Sequence, residues 1–102
     1  MKTIGEILKE ARTQKNMILR KVSASVDIDQ SLISKFEKND RKPTKEQLLR
    51  LASFYSLSEK ELLINWYSEK IAQDLKYTDS TSEILKVAEQ KIEYYKNQKN
   101  EK

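Results

Sequence analysis

The sequence predicts an all-α protein, and three observations support that prediction. Apolar residues recur along the 102 residues at the spacing that places them on one face of a helix. Glycine and proline, which interrupt helices, occur only once each. Four segments begin with Ser or Thr followed three residues later by Glu or Gln, and this pattern is typical of a capped helix start.

The first helix is predicted to begin after Thr3, where Thr3 and Glu6 form such a capping box, and to end near Asn16. It carries Arg12, for which two interpretations are open. The side chain is either a solvated surface charge or a partner of the Glu37 carboxylate. The second is favoured because the planar guanidinium can bind a carboxylate with two parallel hydrogen bonds, which would tie two helices together.

Two short helices joined by a tight turn are predicted, the first over residues 17–26 and the second within the stretch 27–37. Asp27 occupies the turn, where a Gly, Asn or Asp is needed if the backbone enters the left-handed region. Asp29 is expected to cap the following helix, because its carboxylate can accept from backbone N–H groups of the first turn. Two short helices connected in this way form a helix-turn-helix.

The second of these helices is predicted to have one buried and one polar face. Its apolar anchors are Ile28, Ile33 and Phe36. Short hydrogen-bonding groups and one cation lie between them, and such groups contact base edges in a DNA groove. We therefore predict base contacts from Gln30, Ser31, Ser34 and Lys35. For Leu32 two roles remain open, partial packing into the core or an apolar contact with a thymine methyl group.

A basic loop is predicted over residues 38–43, and Asn39 is the non-glycine residue type that best tolerates positive φ. The cations of the loop are either solvated or a clamp on the DNA backbone, and we favour the clamp. The residues predicted to contact phosphates are Arg20, Lys38, Arg41 and Lys42.

Three further helices complete the prediction. The fourth begins after Thr44, whose capping partner is Gln47, and buries Leu48, Leu49, Leu51, Ala52 and Tyr55. The fifth runs from Glu59 to about Lys76 and is apolar on two sides, so it should pack against two partners. The sixth runs from about Thr81 to Asn97. The second partner of the fifth helix is the sixth helix, a second copy of the protein, or both.

The N-terminal part of the sequence, which contains the predicted helix-turn-helix, resembles the lambda-repressor-like, or Xre-type, family of helix-turn-helix regulators. The resemblance covers roughly residues 3–63 and rests on the turn at Asp27 and Ile28, on Ser34-x-Phe36-Glu37, and on residues 41–44. It implies DNA binding and an ion pair between Arg12 and Glu37. The chain departs from the pattern at Leu19, where a phosphate-binding Gln is usual, and at Ser23, where Ala is usual.

Composition and charge narrow the function classes. The chain has no Cys and no His, which removes thiol nucleophiles, the usual zinc ligands and the usual general base, so no enzyme, metal site or cofactor is expected. Residues 1–57 hold 12 Lys and Arg against 7 Asp and Glu, whereas residues 58–102 hold 8 against 9. The basic half is therefore the helix-turn-helix half, as expected for a surface that follows phosphates. Neither a membrane span nor a signal peptide is predicted, so the protein is expected in the cytoplasm.

These observations predict a DNA-binding domain over residues 1–63, a helical extension for dimerisation over 64–97 and a frayed tail over 98–102. The predicted function is a sequence-specific transcriptional regulator, acting as a homodimer on a two-fold operator in double-stranded DNA. The alternative is a module of the same fold that binds a protein partner, as an antitoxin does. The apolar residues predicted at the dimer interface are Trp66, Tyr67, Ile71, Ile84, Ala88, Ile92 and Tyr95.

Overall fold

The computed structural model describes residues 1–100, with side chains as far as Gln98, and confirms the all-α prediction. Six helices occupy these residues: α1 (Ile4–Gln14), α2 (Leu19–Val26), α3 (Gln30–Glu37), α4 (Lys45–Tyr55), α5 (Glu59–Leu75) and α6 (Thr81–Asn100). No helix among the described residues is long and apolar enough to cross a membrane.

Local chemistry at the helix starts explains where the chain becomes helical. Complete capping boxes begin α1, with Thr3 and Glu6, and α4, with Thr44 and Gln47. At α5 the Ser58 hydroxyl accepts from the Glu61 N–H at 3.2 Å. Helix α6 begins at Thr81 as predicted, where the backbone carbonyl of Ser80 accepts from the Ile84 N–H and Ser80 itself takes a φ of 64°.

Several helix ends also differ from the prediction. Helix α1 ends at Gln14, and Asn16 then takes a φ of 52°, a left-handed conformation that a helix cannot continue. Helix α2 begins at Leu19 because Ile18 before it is extended. Helix α6 continues through the segment predicted to fray as far as Asn100, and residues 101 and 102 lie outside the described residues.

The chain divides into an N-terminal unit, Met1–Lys70, and a C-terminal unit, Ile71–Lys102. The N-terminal unit packs helices α1 to α4 and the first part of α5 around one hydrophobic core. The largest side chains that are completely enclosed in it are Leu8, Val22, Ile33, Phe36, Leu48 and Leu51. Each of the first four helices therefore contributes to this core, and Leu49 of the predicted set is only half-buried.

The N-terminal unit extends past the boundary predicted at Leu63 because α5 is fastened to it. The Trp66 indole N–H donates to the Pro43 carbonyl at 2.8 Å, and the Glu69 carboxylate accepts from the Ile4 N–H at 2.9 Å. Trp66 is only 9% exposed. Its assignment to a dimer interface is therefore corrected: its hydrogen bond and its burial make it a core residue of this unit.

The C-terminal unit comprises the end of α5, from Ile71, and α6. Leu75 and Ile84 are half-buried, whereas Ile71 is 44% exposed. The remaining large apolar residues of α6 are also exposed, namely Leu85, Val87, Ile92, Tyr94 and Tyr95. Among residues 81–98 no side chain of α6 is fully buried.

Gly5 permits a close approach between α1 and the end of α3. A Cβ at this position would lie 2.4 Å from the Phe36 carbonyl oxygen and 2.5 Å from the Asn39 Oδ1. The Gly5 N–H also donates to that oxygen of Asn39 at 3.3 Å. The glycine is required by space, because its φ is not positive.

We expect Gly5→Ala to lower the free energy of unfolding by about 1 to 3 kcal/mol, since backbone must shift to admit the methyl group. Alanine is the better helix former by about 1 kcal/mol, so a net loss would identify the steric cost. Urea denaturation measures the difference. Lys9→Ala, at an exposed position of the same helix, is the control and should change stability little. A Gly5→Ala protein as stable as wild type would show that the close approach is not needed.

Candidate nucleic-acid interface

The turn between α2 and α3 is fixed by backbone geometry and by one serine. Asp27 lies at φ 55° and ψ 48°, the left-handed region, as predicted. The Ser23 hydroxyl donates to the Ile28 carbonyl at 2.6 Å, closing the turn from the preceding helix. Val26 and Ile28, on either side of Asp27, are both buried in the core. These contacts set the angle at which α3 leaves α2, and they produce a helix-turn-helix.

Arg50 of α4 supports the same turn. Its Nη1 donates to the carbonyls of Val26 and Asp27, both at 3.3 Å, and its Nη2 contacts Glu46 at 2.6 Å. The carbonyls at the end of a helix lack intrahelical partners, and a cation there satisfies them. Sequence patterns do not indicate this role, because Arg50 is more than 20 residues away from the carbonyls that it binds.

Helix α3 has the two faces that its sequence predicts. Ile33 is 1% exposed and Phe36 is 2% exposed, so the inner face is part of the core. Leu32 is half-buried and packs against that core, which favours the packing role over the thymine contact. On the outer face Gln30, Ser31 and Lys35 are exposed and Ser34 is half-buried. The structure thus leaves a short polar row on an otherwise anchored helix.

Asp29 does not cap α3 in the predicted way. It occupies the N-cap position, but its side chain makes no hydrogen bond with the backbone of the helix. Its carboxylate instead accepts from the Ser31 hydroxyl, while its carbonyl accepts from the Leu32 and Ile33 N–H groups. The carboxylate predicted to cap the helix therefore binds the Ser31 hydroxyl, which is itself predicted to contact a base.

Arg20 and Gln30 line one open groove between the starts of α2 and α3, together with Arg12, Ile18 and Leu19. Arg20 and Gln30 are both exposed, whereas Leu19 is half-buried against the core. A cation near the start of one helix therefore lies beside an amide near the start of the next. This brings together a residue predicted to contact phosphates and one predicted to contact bases.

The loop after α3 presents two of its cations to solvent and uses the third internally. Lys38 and Arg41 are exposed, and Asn39 between them has a φ of 62°, as its residue type predicts. The Lys42 ammonium donates to the Trp66 carbonyl at 3.0 Å and lies 5.0 Å from the centre of the Trp66 ring. Lys42 therefore fastens the loop to α5, a role that the prediction of a phosphate contact did not include.

Arg12 and Glu37 form the bidentate pair that connects α1 with α3. Arg12 Nε lies 2.8 Å from one carboxylate oxygen of Glu37, and Nη2 lies 2.9 Å from the other. The remaining Nη1 donates to the Met17 carbonyl at 3.0 Å. The Glu37 side chain is only 5% exposed, and its hydrogen bonds raise the pKa of the Arg12 guanidinium above its usual value. The pair fixes the end of α3 against the first helix.

Tyr55 lies close to this pair within the core. It is 3% exposed, and its hydroxyl has no hydrogen-bond partner among the described residues. Burial, and to a smaller extent the nearby Glu37 carboxylate, raise the pKa of the Tyr55 hydroxyl to about 12, while Arg12 acts in the opposite direction. The phenol is therefore neutral next to the ion pair.

Comparison with known families identifies the same segment. A family described as a helix-turn-helix domain matches residues 5–69, which is more than half of the chain. The match extends through Glu69, the α5 residue that binds the start of α1, and so agrees with the extent of the N-terminal unit. Comparisons with curated proteins and with solved structures gave no match.

We expect Arg12→Met to lower the free energy of unfolding by about 3 to 5 kcal/mol, because it leaves the Glu37 carboxylate buried without its partner. Arg12→Lys keeps the charge but not the fork, so its loss should be smaller. Chemical denaturation compares the two with Lys9→Met, an exposed change on the same helix. Equal stability of Arg12→Met and Lys9→Met would contradict a structural role for the pair.

The raised pKa of Tyr55 predicts that the folded protein loses stability at alkaline pH. The folded-state pKa of about 12 lies above the ordinary value of 10.0, so the folded protein holds a proton that the unfolded chain releases. This contribution is complete below pH 10 and is lost as the pH rises toward 12, by on the order of 2 kcal/mol. Tyr55→Phe should be at least as stable as wild type at pH 7, since it removes an unpaired hydroxyl. It should also decline less between pH 10 and 12.

Tyr77→Phe is the matched control, because Tyr77 is 91% exposed. Urea midpoints measured at several pH values compare the three proteins. If Tyr55→Phe and Tyr77→Phe followed the same alkaline profile, the proton held by the folded state would not be that of Tyr55.

Proposed function

The chain belongs to the helix-turn-helix domain family, and from this premise we propose that it is a sequence-specific transcriptional regulator that binds DNA as a homodimer. One observation carries the proposal: α3 anchors its inner face in the core and leaves a row of short polar side chains outside, next to exposed cations. A rigid helix with such a row fits the major groove, where base edges are distinguished by their donors and acceptors.

The outer row of α3 supplies the base contacts in this proposal. Gln30 can bind adenine through paired donor and acceptor atoms, and Lys35 can donate to the guanine acceptors. Ser31 and Ser34 add short hydroxyl contacts, and the hydroxyl hydrogen of Ser31 is directed to Asp29. The rigidity of α3 supports the proposal, because contacts from a helix held by Ile33, Phe36 and Glu37 discriminate more sharply than contacts from a mobile segment.

Exposed cations on either side of that row supply the phosphate contacts. Arg20 lies beside Gln30 in one groove, while Lys38 and Arg41 follow the other end of α3. Lys42 is held by Trp66, so we propose that it positions the loop that carries Lys38 and Arg41. Phosphate contacts orient the protein without reading sequence, and they make binding depend strongly on salt.

The homodimer follows from the small size of one reading helix. Helix α3 has 8 residues and can contact only a few base pairs, which is too few to select one site among the competing sites of a genome. Two linked copies bind two half-sites, and the second binding event becomes intramolecular. The exposed apolar residues of the C-terminal unit, among them Ile71, Ile92 and Tyr95, support self-association there.

Within the helix-turn-helix family we further propose a lambda-repressor-like, Xre-type regulator that acts as a repressor in the cytoplasm. The left-handed turn at Asp27 and the Arg12–Glu37 pair support this assignment, because the resemblance rests on the first and implies the second. A dimer that covers a two-fold operator blocks access to the DNA, which is the simplest form of control. No catalytic step is part of the proposal.

Substitutions at Gln30 and Lys38 test the division between base and phosphate contacts. Gln30→Ala should cost about 1 to 3 kcal/mol at the preferred site and relax the base preference at one position. Lys38→Ala should weaken all sequences alike and reduce the dependence of affinity on salt. Selection of bound sites from random DNA, followed by titration of the selected and a scrambled site at two salt concentrations, measures both effects.

Lys60→Ala is the control for loss of charge, because Lys60 is exposed on α5 and lies outside the proposed interface. If Gln30→Ala and Lys38→Ala reduced binding to every sequence equally, α3 would not be the reading helix. If the wild type selected no sequence and bound DNA no better than the Lys38→Ala variant does, the fold would instead serve a protein partner.

A further inference from the structure

Four apolar residues of α6 form one continuous stripe that the sequence analysis only partly recognised. Leu85, Ala88, Ile92 and Tyr95 follow one another at spacings of three, four and three residues, the a and d positions of a coiled coil. Leu85 is 43% exposed, Ile92 is 51% exposed and Tyr95 is 62% exposed. We propose that this stripe, hereafter the α6 seam, pairs antiparallel with the α6 seam of a second copy.

The proposal rests on the homodimer proposed above and deepens it by naming the contact surface and its direction. Helix α6 has 20 residues, and in proteins most of the stability of a helix comes from packing its apolar face rather than from intrinsic propensity. Over residues 81–98 the structure shows apolar side chains in contact with solvent rather than enclosed. Pairing of two seams would cover them and stabilise both helices.

Side-chain size favours the antiparallel direction. In a parallel pair each seam residue meets its own copy, so that Ala88 faces Ala88 and leaves a gap, while Tyr95 faces Tyr95 and crowds the end. In an antiparallel pair centred near residue 90, Ala88 faces Ile92 and Leu85 faces Tyr95. Every layer then combines a larger and a smaller side chain, which is how facing positions interdigitate without voids.

The charge distribution along α6 favours the same direction. Residues 81–90 carry two Glu and one Lys, a net charge of −1, whereas residues 91–98 carry two Lys and one Glu, a net charge of +1. Antiparallel pairing places the negative half of one helix against the positive half of the other. Parallel pairing places like charge against like charge along the whole seam.

Engineered cysteines test the direction of pairing, because the natural chain contains no Cys that could interfere. The test uses Leu85→Cys and Tyr95→Cys in the full chain, and one of the two variants carries a size tag. Each variant is oxidised alone, and the two are oxidised as a mixture, in the absence of DNA. Antiparallel pairing predicts a mixed disulfide between the two variants, with each variant alone giving at least about tenfold less, because equivalent positions then lie about 15 Å apart along the axis.

The other outcomes overturn the proposal in different ways. Disulfide dimers of each variant with itself, with little mixed dimer, would show parallel pairing, and equal amounts of self and mixed dimers would show that the seams do not pair in one fixed direction. Absence of any disulfide dimer would show that the α6 seam is not the contact surface. None of these outcomes bears on DNA reading by α3, which the Gln30 and Lys38 variants test separately, so failure of this inference and failure of the proposed function are distinguishable.

A matched pair of charge substitutions tests the link to DNA binding. Ile92→Glu places a carboxylate in the α6 seam, whereas Gln90→Glu places the same group on the opposite face of the same helix. We expect Ile92→Glu to abolish self-association in sedimentation and to weaken operator binding by at least about 100-fold, because the gain from binding two half-sites together is lost. Gln90→Glu should leave both unchanged. Circular dichroism shows whether the N-terminal unit remains folded, and a folded Ile92→Glu protein that dimerised like Gln90→Glu would overturn the proposal.

Discussion

The ion pair between Arg12 and Glu37 is the interaction on which the position of α3 depends. Glu37 is the last residue of α3, and Arg12 lies in the last turn of α1, so the two parallel hydrogen bonds fix the end of one helix to the end of another. Nearly complete burial of Glu37 makes the pair costly to form, but it makes separation of the pair costlier. The helix can present its outer row at a constant angle because its inner end is held by charge as well as by Phe36. Tyr55 lies near the pair as a neutral phenol, so it adds no third charge there.

Backbone conformation sets the remaining geometry, and the chain achieves it with almost no glycine. Among residues 1–100, five non-glycine residues, at positions 16, 27, 39, 56 and 80, take a positive φ, and all are Asn, Asp or Ser. Asn and Asp tolerate this region because a short polar side chain can bond locally. The single glycine lies where no Cβ fits, between α1 and the carbonyl of Phe36. Asn39 joins both constraints, since its backbone turns the loop while its side chain accepts from Gly5. The turn at Asn39 and the close approach at Gly5 therefore both fix the end of α3 against α1.

Features determined by neighbouring residues could be predicted from the sequence, and features determined by distant partners could not. Capping boxes at Thr3 and Thr44 and the turn at Asp27 depend on a few adjacent residues, and each was recognisable. Trp66 and Lys42 looked like surface residues because the carbonyls that they bind lie 23 and 24 residues away. At Asp29 only part of the prediction was possible. Its N-cap position could be predicted, but its carboxylate binds the Ser31 hydroxyl and not the backbone N–H groups of the helix. Residue type indicates what a side chain can bind, and only the fold decides which partner is nearest.

The division of charge between the two halves of the chain is consistent with two tasks that oppose each other. A surface that binds phosphates needs an excess of cations, and two such surfaces repel each other when two copies associate. Residues 1–57 carry a net charge of +5, whereas residues 58–102 carry −1. In the proposed dimer, self-association uses α6 in the nearly neutral half, and the surrounding salt screens the repulsion between the basic halves over about 8 Å. The cations proposed to bind phosphates, Arg20, Lys38 and Arg41, are not among the residues proposed to pair, so the two proposed tasks do not compete for the same side chains.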